Sequence, residues 1–114
     1  MLASVNVALR FLLELAGLAA VVWWGLNAAG GGAGWALAIG AAVGFVVVWG
    51  LFIAPRARYP QTPRFRLVAG TAILEGAAIL LALGGALTAA VVIALLVALN
   101  AIGIAVLGDG GLAA

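Results

Sequence analysis

The chain is 114 residues long, 68% of it hydrophobic, and carries five Arg, three acidic residues and a net charge of +2. A soluble domain of this size cannot cover its surface with so little polar material, so the composition belongs to a chain built for lipid. Cys, His and Lys are all missing, which excludes disulfides, thiolate or imidazole metal sites, Ser-His triads and Schiff-base chemistry.

A membrane-crossing helix takes about 20 apolar residues. Four spans with tight connections therefore use the whole length, and residues 1–114 read as a single transmembrane domain. The expected fold class is all-α, a polytopic four-helix bundle. The first span covers 5–27. It holds Arg10 and Glu14 and lacks a basic leader, which reads as a mature helix rather than a cleaved signal. Residues 28–34 (AAGGGAG) form an uncharged, flexible break. The second span covers 35–54 and stops at Pro55, which cannot continue a helix. The polar loop 55–66 (PRARYPQTPRFR) contains all three prolines together with Arg56, Arg58, Arg64 and Arg66. The third span covers 67–83, a Gly84–Gly85 turn follows, and the fourth covers 87–107 ahead of a Gly-rich tail with Asp109.

Basic residues favour the cytoplasmic side of a membrane, and neither other connection contains one. The Arg-rich loop and both termini are thus expected in the cytoplasm, with the chain in the inner or plasma membrane. Trp23, Trp24 and Trp35 then fall at the outer interface, and Tyr59 and Phe65 near the inner one, where amphipathic rings favour the headgroup level. The four loop arginines are read as orientation determinants and lipid-headgroup contacts. The bilayer is the expected partner, and nucleic acid is not. Ala36, Gly40 and Gly44 make a small-residue stripe on the second span. Packing within the molecule is its expected use, ahead of a dimer face.

Inside the spans lie Arg10, Glu14, Thr71, Glu75 and Asn100. Arg10 and Glu14 are four residues apart and share a helix face, as do Thr71 and Glu75. With a rise of about 1.5 Å per residue, Glu14 stands about 12 Å above Asn6, Glu75 about 13 Å beyond Arg66, and Asn100 about 10 Å above Leu107. The three are expected at one depth. A charge at mid-bilayer costs about 2.5–3.5 kcal/mol on insertion scales. Arg10 most simply neutralises Glu14, which leaves Glu75 without a basic partner. Glu75 is then expected to hold a proton or share one with Glu14. Asn100 and Thr71 are its expected hydrogen-bond partners, and Trp49 is expected to wall the layer.

Three segments, ALRFLLELAGL (8–18), WGLFIAPRA (49–57) and RLVAGTAILEGAAILLALGG (66–85), resemble the YrdB-like family of small bacterial four-helix membrane proteins. That resemblance implies a membrane location and no mechanism, because the family is a domain of unknown function. Its characteristic residues correspond here to Arg10, Glu14, Trp49, Gly50, Pro55 and Glu75. In length, span number and a first-helix Glu the chain is also similar to small multidrug-resistance exporters. Most of their motif is absent, however, and four arginines on one side disfavour antiparallel pairing.

The expected function is transport or permeation of a proton, cation or small amphipathic molecule by a homo-oligomer, parallel rather than antiparallel. Glu14 and Glu75 would bind the proton or cation, Arg10 would be the counter-ion, and Asn100, Thr71 and Trp49 would complete the site. The alternative is a structural or accessory subunit, or a lipid-interacting protein, in which the polar layer only sets helix register. No cofactor or metal is expected, and no nucleophile supports an enzyme.

Overall fold

The computed structural model describes residues 2–53, 57–59 and 61–107. The expectations placed on Ala54, Pro55, Arg56 and Asp109 lie outside them. Four helices run in chain order, α1 (Leu2–Ala28), α2 (Gly31–Val48), α3 (Pro63–Leu83) and α4 (Leu87–Leu107), and no strand occurs among the described residues. All four are long and apolar enough to cross a membrane. In lipid an unpaired backbone amide has no water to bond, so a continuous helix is how each apolar run satisfies itself. The molecule is 44 Å along its longest axis, near the thickness of about 40–45 Å for a bilayer with headgroups.

The chain is two helical hairpins, α1–α2 and α3–α4. The break expected at 28–34 shrinks to Ala29 and Gly30, and α2 begins at Gly31. Close packing explains the difference. Gly34 lies so near the Ala29 carbonyl that a Cβ there would overlap it, and Gly25 abuts the backbone of Ala38 just as tightly. Absent side chains let α1 and α2 touch at once, which pulls the glycines into the helix. Asn27 Nδ2 donates to the Trp23 carbonyl at 2.8 Å, one turn back along α1. The second hairpin turns at Gly84–Ala86, where Gly85 adopts φ +97 and Ala86 N–H bonds the Leu81 carbonyl at 3.1 Å. A left-handed glycine at a helix end is the usual device for such a stop.

Where α2 ends, a π-helical turn spans Trp49–Ile53. The chain then folds back on it. Arg58 N–H donates to the Gly50 carbonyl at 3.2 Å and Tyr59 N–H to that of Leu51 at 2.8 Å. Arg66 Nε donates to the Ile53 carbonyl at 3.1 Å. A cation and two amides thereby cap carbonyls that the helix leaves unpaired. The loop expected over 55–66 is also shorter than the sequence reading has it. Thr62 caps α3, its hydroxyl accepting from Phe65 N–H at 3.1 Å, and Pro63 occupies the first turn. Arg64 and Arg66 consequently belong to the first turn of α3 rather than to a loop.

Two apolar clusters form the core. Ala20, Val21, Ala77, Leu81 and Ala90 fill the half nearer the hairpin turns. Leu13, Leu74 and Val97 fill the half nearer the chain ends, with Phe45 reaching both clusters from α2. The stripe of Ala36, Gly40 and Gly44 points the other way. All three are exposed, and a Cβ at either glycine would meet open space. The expected intramolecular packing role therefore falls instead to Gly34 and Ala38, which are the buried residues of α2.

Candidate functional site

Leu74 and Val97 close the core above a polar layer that only three helices build. Asn100 of α4 is 1% exposed, the one buried polar side chain among the described residues. Its amide nitrogen donates to the Asn6 backbone carbonyl at 2.6 Å and to Asn6 Oδ1 at 2.9 Å. Asn6 Nδ2 donates back to the Asn100 backbone carbonyl at 3.0 Å. Each asparagine thus answers the other, and the pair can form because Gly103 leaves room. A Cβ at Gly103 would stand 2.5 Å from Asn6 Nδ2.

One turn along α1, Arg10 spreads its guanidinium toward α3 and α4. Both terminal nitrogens lie 3.2 Å from Thr71 Oγ1, and Nη1 makes a longer 3.4 Å contact with Asn100 Oδ1. Gly70 makes space for it, since a Cβ there would lie 2.9 Å from Arg10 Nη2. The fork of an arginine suits this arrangement, because several donors radiate from one plane.

Glu14 stands at the edge of this layer, on the side facing α2. It accepts from Trp49 Nε1 at 2.9 Å and makes no hydrogen bond with Arg10. The Arg10–Glu14 contact allowed by their spacing loses to better-placed neighbours on other helices. Trp49 presents its N–H edge to Glu14 while its ring stacks on Phe45, centroids 5.3 Å apart. It takes part as a donor as well as an apolar wall, its ring packing against the Leu13, Leu74 and Val97 cluster. Trp49 keeps helical backbone angles, φ −61 and ψ −48, with its N–H on the Phe45 carbonyl, so its aim follows from the register of α2.

Glu75 is separate. Oε1 is buried and finds no hydrogen-bond partner, and neither Asn100 nor Thr71, its expected partners, reaches it. It lines a shallow groove on the α3–α4 face with Ala78, Ile79, Ala82, Leu87, Ala90, Val91 and Ala94. Four helical residues turn through a full circle plus roughly 40°, so Glu75 sits one turn beyond Thr71 and rotated toward α4. The earlier start of α3 adds to its depth. The single layer joining Glu14, Glu75 and Asn100 therefore resolves into an Asn6–Arg10–Thr71–Asn100 cluster, a Glu14–Trp49 pair beside it, and an isolated Glu75.

Asn6 is the participant that sequence reasoning missed. It marked the edge of the first span, and a single Asn near a helix end carries little signal. Its register with Asn100, at matching ends of α1 and α4, was the available clue. Of the arginines near the loop, Arg58 is exposed with its guanidinium 5.8 Å from the Tyr59 ring, Arg64 is exposed, and Arg66 caps the π-helical turn. Arg66 thus has a protein partner beyond the expected headgroups.

Comparison with curated proteins and with solved structures gave no match. A family model does match, over residues 8–110, and it is described as a protein of unknown function. That stretch takes in Arg10, Glu14, Trp49, Thr71, Glu75 and Asn100, and leaves Asn6 just before it. With nearly its whole length covered, the chain belongs to the DUF2568 family.

Proposed function

We propose that this protein is a structural or accessory membrane subunit whose polar layer is a latch between two helical hairpins. One observation carries the reading. The buried Asn100 side chain, on the second hairpin, is bonded on both its nitrogen and its oxygen by groups of the first. Arg10 likewise spends its terminal nitrogens on Thr71 and Asn100 across the same seam. Polar groups engaged in this way fix helix register and are not free to take up and release a substrate. The locked bundle then offers its outer faces to a partner in the membrane. The reading places the protein in a bacterial cell membrane, with the Arg-rich end and both termini in the cytoplasm. It assigns no reaction to the chain.

Proton- or cation-linked transport is the rival, and one experiment separates the two. Purified protein is reconstituted in liposomes and proton and cation flux are recorded for wild type, Glu14→Gln and Glu75→Gln. The latch reading expects all three to match protein-free liposomes, while Asn100→Leu lowers the stability of the bundle. A wild-type flux that Glu75→Gln abolishes would overturn it in favour of transport.

A further inference from the structure

Glu75 presents a problem that the bundle itself does not solve. Its carboxyl makes no hydrogen bond and lines a groove of about 230 Å³ whose other lining residues are all Ala, Ile, Leu or Val. Oε1 is covered within the chain, so the other oxygen is the one a neighbour in the groove would meet. Lipid tails cannot hydrogen-bond a carboxyl, so covering this face with lipid leaves the group unsatisfied. Headgroups are distant. Glu75 is eight residues from Leu83 and twelve from Pro63 at the two ends of α3, or about 12 and 18 Å along the axis. Arg10 is committed to Thr71 and Asn100, and Arg58, Arg64 and Arg66 all lie at the inner end.

A second copy supplies what is missing. A protonated carboxyl carries one donor and spare acceptors, so it is complementary to itself. An isologous two-fold interface needs such a patch, because each group near the axis meets its own counterpart. With both copies inserted the same way, as the charge bias requires, the axis runs along the membrane normal and the two Glu75 residues keep the same depth. The groove supplies the fit. Ala78, Ala82, Ala90 and Ala94 form a low floor beside the exposed Ile79 and Val91, the small-residue surface that lets helices approach closely. No other titratable or charged side chain lines it. The α2 stripe has small residues too, but no unmet polar group, and lipid covers it without cost.

We propose that the α3–α4 face receives the same face of a second copy in parallel, and that Glu75 meets the second copy's Glu75 as a hydrogen-bonded acid pair holding at least one proton. This deepens the accessory reading by naming the first partner of the exposed face, and it rests on that reading.

The chain has no cysteine, so single thiols introduced into it report alone. Ile79→Cys and Val91→Cys are expected to give a cross-linked dimer in native membranes with a short bifunctional maleimide, whereas Ala36→Cys and Val43→Cys on α2 are not. In lipid vesicles, Glu75→Ala is expected to weaken the dimer roughly three- to thirtyfold, the range for one interhelical hydrogen bond. Alkaline buffer should dissociate the wild type, because two ionised carboxylates repel. Glu75→Gln keeps a donor and an acceptor, and its dimer should persist at any pH. Cross-linking from the α2 positions alone, a monomeric wild type, a cross-link to a different protein, or a dimer indifferent to Glu75→Ala would each overturn the proposal. None of these bears on the latch, whose own measure is the stability lost in Asn100→Leu.

Discussion

Asn100 is where the bundle is most exposed to damage by a single substitution. Replacing it with Leu removes the donor to the Asn6 carbonyl and Oδ1 and one acceptor of Arg10 Nη1, which keeps Thr71. Interhelical hydrogen bonds are worth roughly 0.6–2 kcal/mol each, so Asn100→Leu should cost at least about 2 kcal/mol, measured by unfolding in detergent or bicelles. A glycine pair tests the geometry without touching a polar atom. Gly103→Ala drives a methyl into the Asn6 amide and should undo the Asn6–Asn100 pair, whereas Gly40→Ala faces open space. The second change should be neutral, or stabilising by about 0.5–1 kcal/mol, since Ala forms helix more readily. Equal losses from both would show that the register of α1 against α4 does not matter. At this scale the sequence made Arg10, Thr71 and Asn100 visible as a group, because polar residues in apolar runs stand out. It could not choose partners. Helical spacing allowed Arg10 to meet Glu14, and only the packing of α2 and α3 brings Trp49 to Glu14 and Thr71 to Arg10.

The elements were legible to within a turn, and their misplaced ends have physical causes. Thr62–Pro63 is a helix-start signal that the cluster of prolines concealed, and it carries Arg64 and Arg66 into α3. Thr62→Ala should remove about 1 kcal/mol of stability, the usual worth of such a cap. Loss of helicity at the start of α3, read by amide hydrogen exchange at Phe65, is the check. The π-helical turn had no sequence signal beyond a Trp–Gly step ahead of a proline. Arg66 is its brace through the Ile53 carbonyl. Arg66→Leu should increase exchange across Trp49–Ile53 and, through Trp49, loosen the Glu14 contact. Unchanged tryptophan fluorescence and unchanged exchange in that variant would remove the bracing role.

For the molecule as a whole, composition alone implied four crossings, but not their grouping in pairs. The hairpins follow from connections of two or three residues at one end, and the Arg-rich connection joins them at the other. Orientation should respond to charge in the way this layout implies. Arg58→Gln and Arg64→Gln, combined with Gly30→Lys and Gly32→Lys at the opposite end, leave two basic residues at each end and should give a mixed orientation in the membrane. Accessibility of a thiol placed at Ala29 reports the result, and an unmoved label would mean that something other than charge decides the insertion.

The seam between the hairpins also has a consequence for biogenesis. Asn6 and Arg10 leave the ribosome long before Thr71 and Asn100, so a nascent chain halted after α2 lacks the partners that these side chains have in the folded bundle. Polar groups left without partners in lipid destabilise the hairpin that carries them. The leading hairpin made alone should be short-lived in a pulse–chase, and supplying the trailing hairpin from a separate gene should prolong its life.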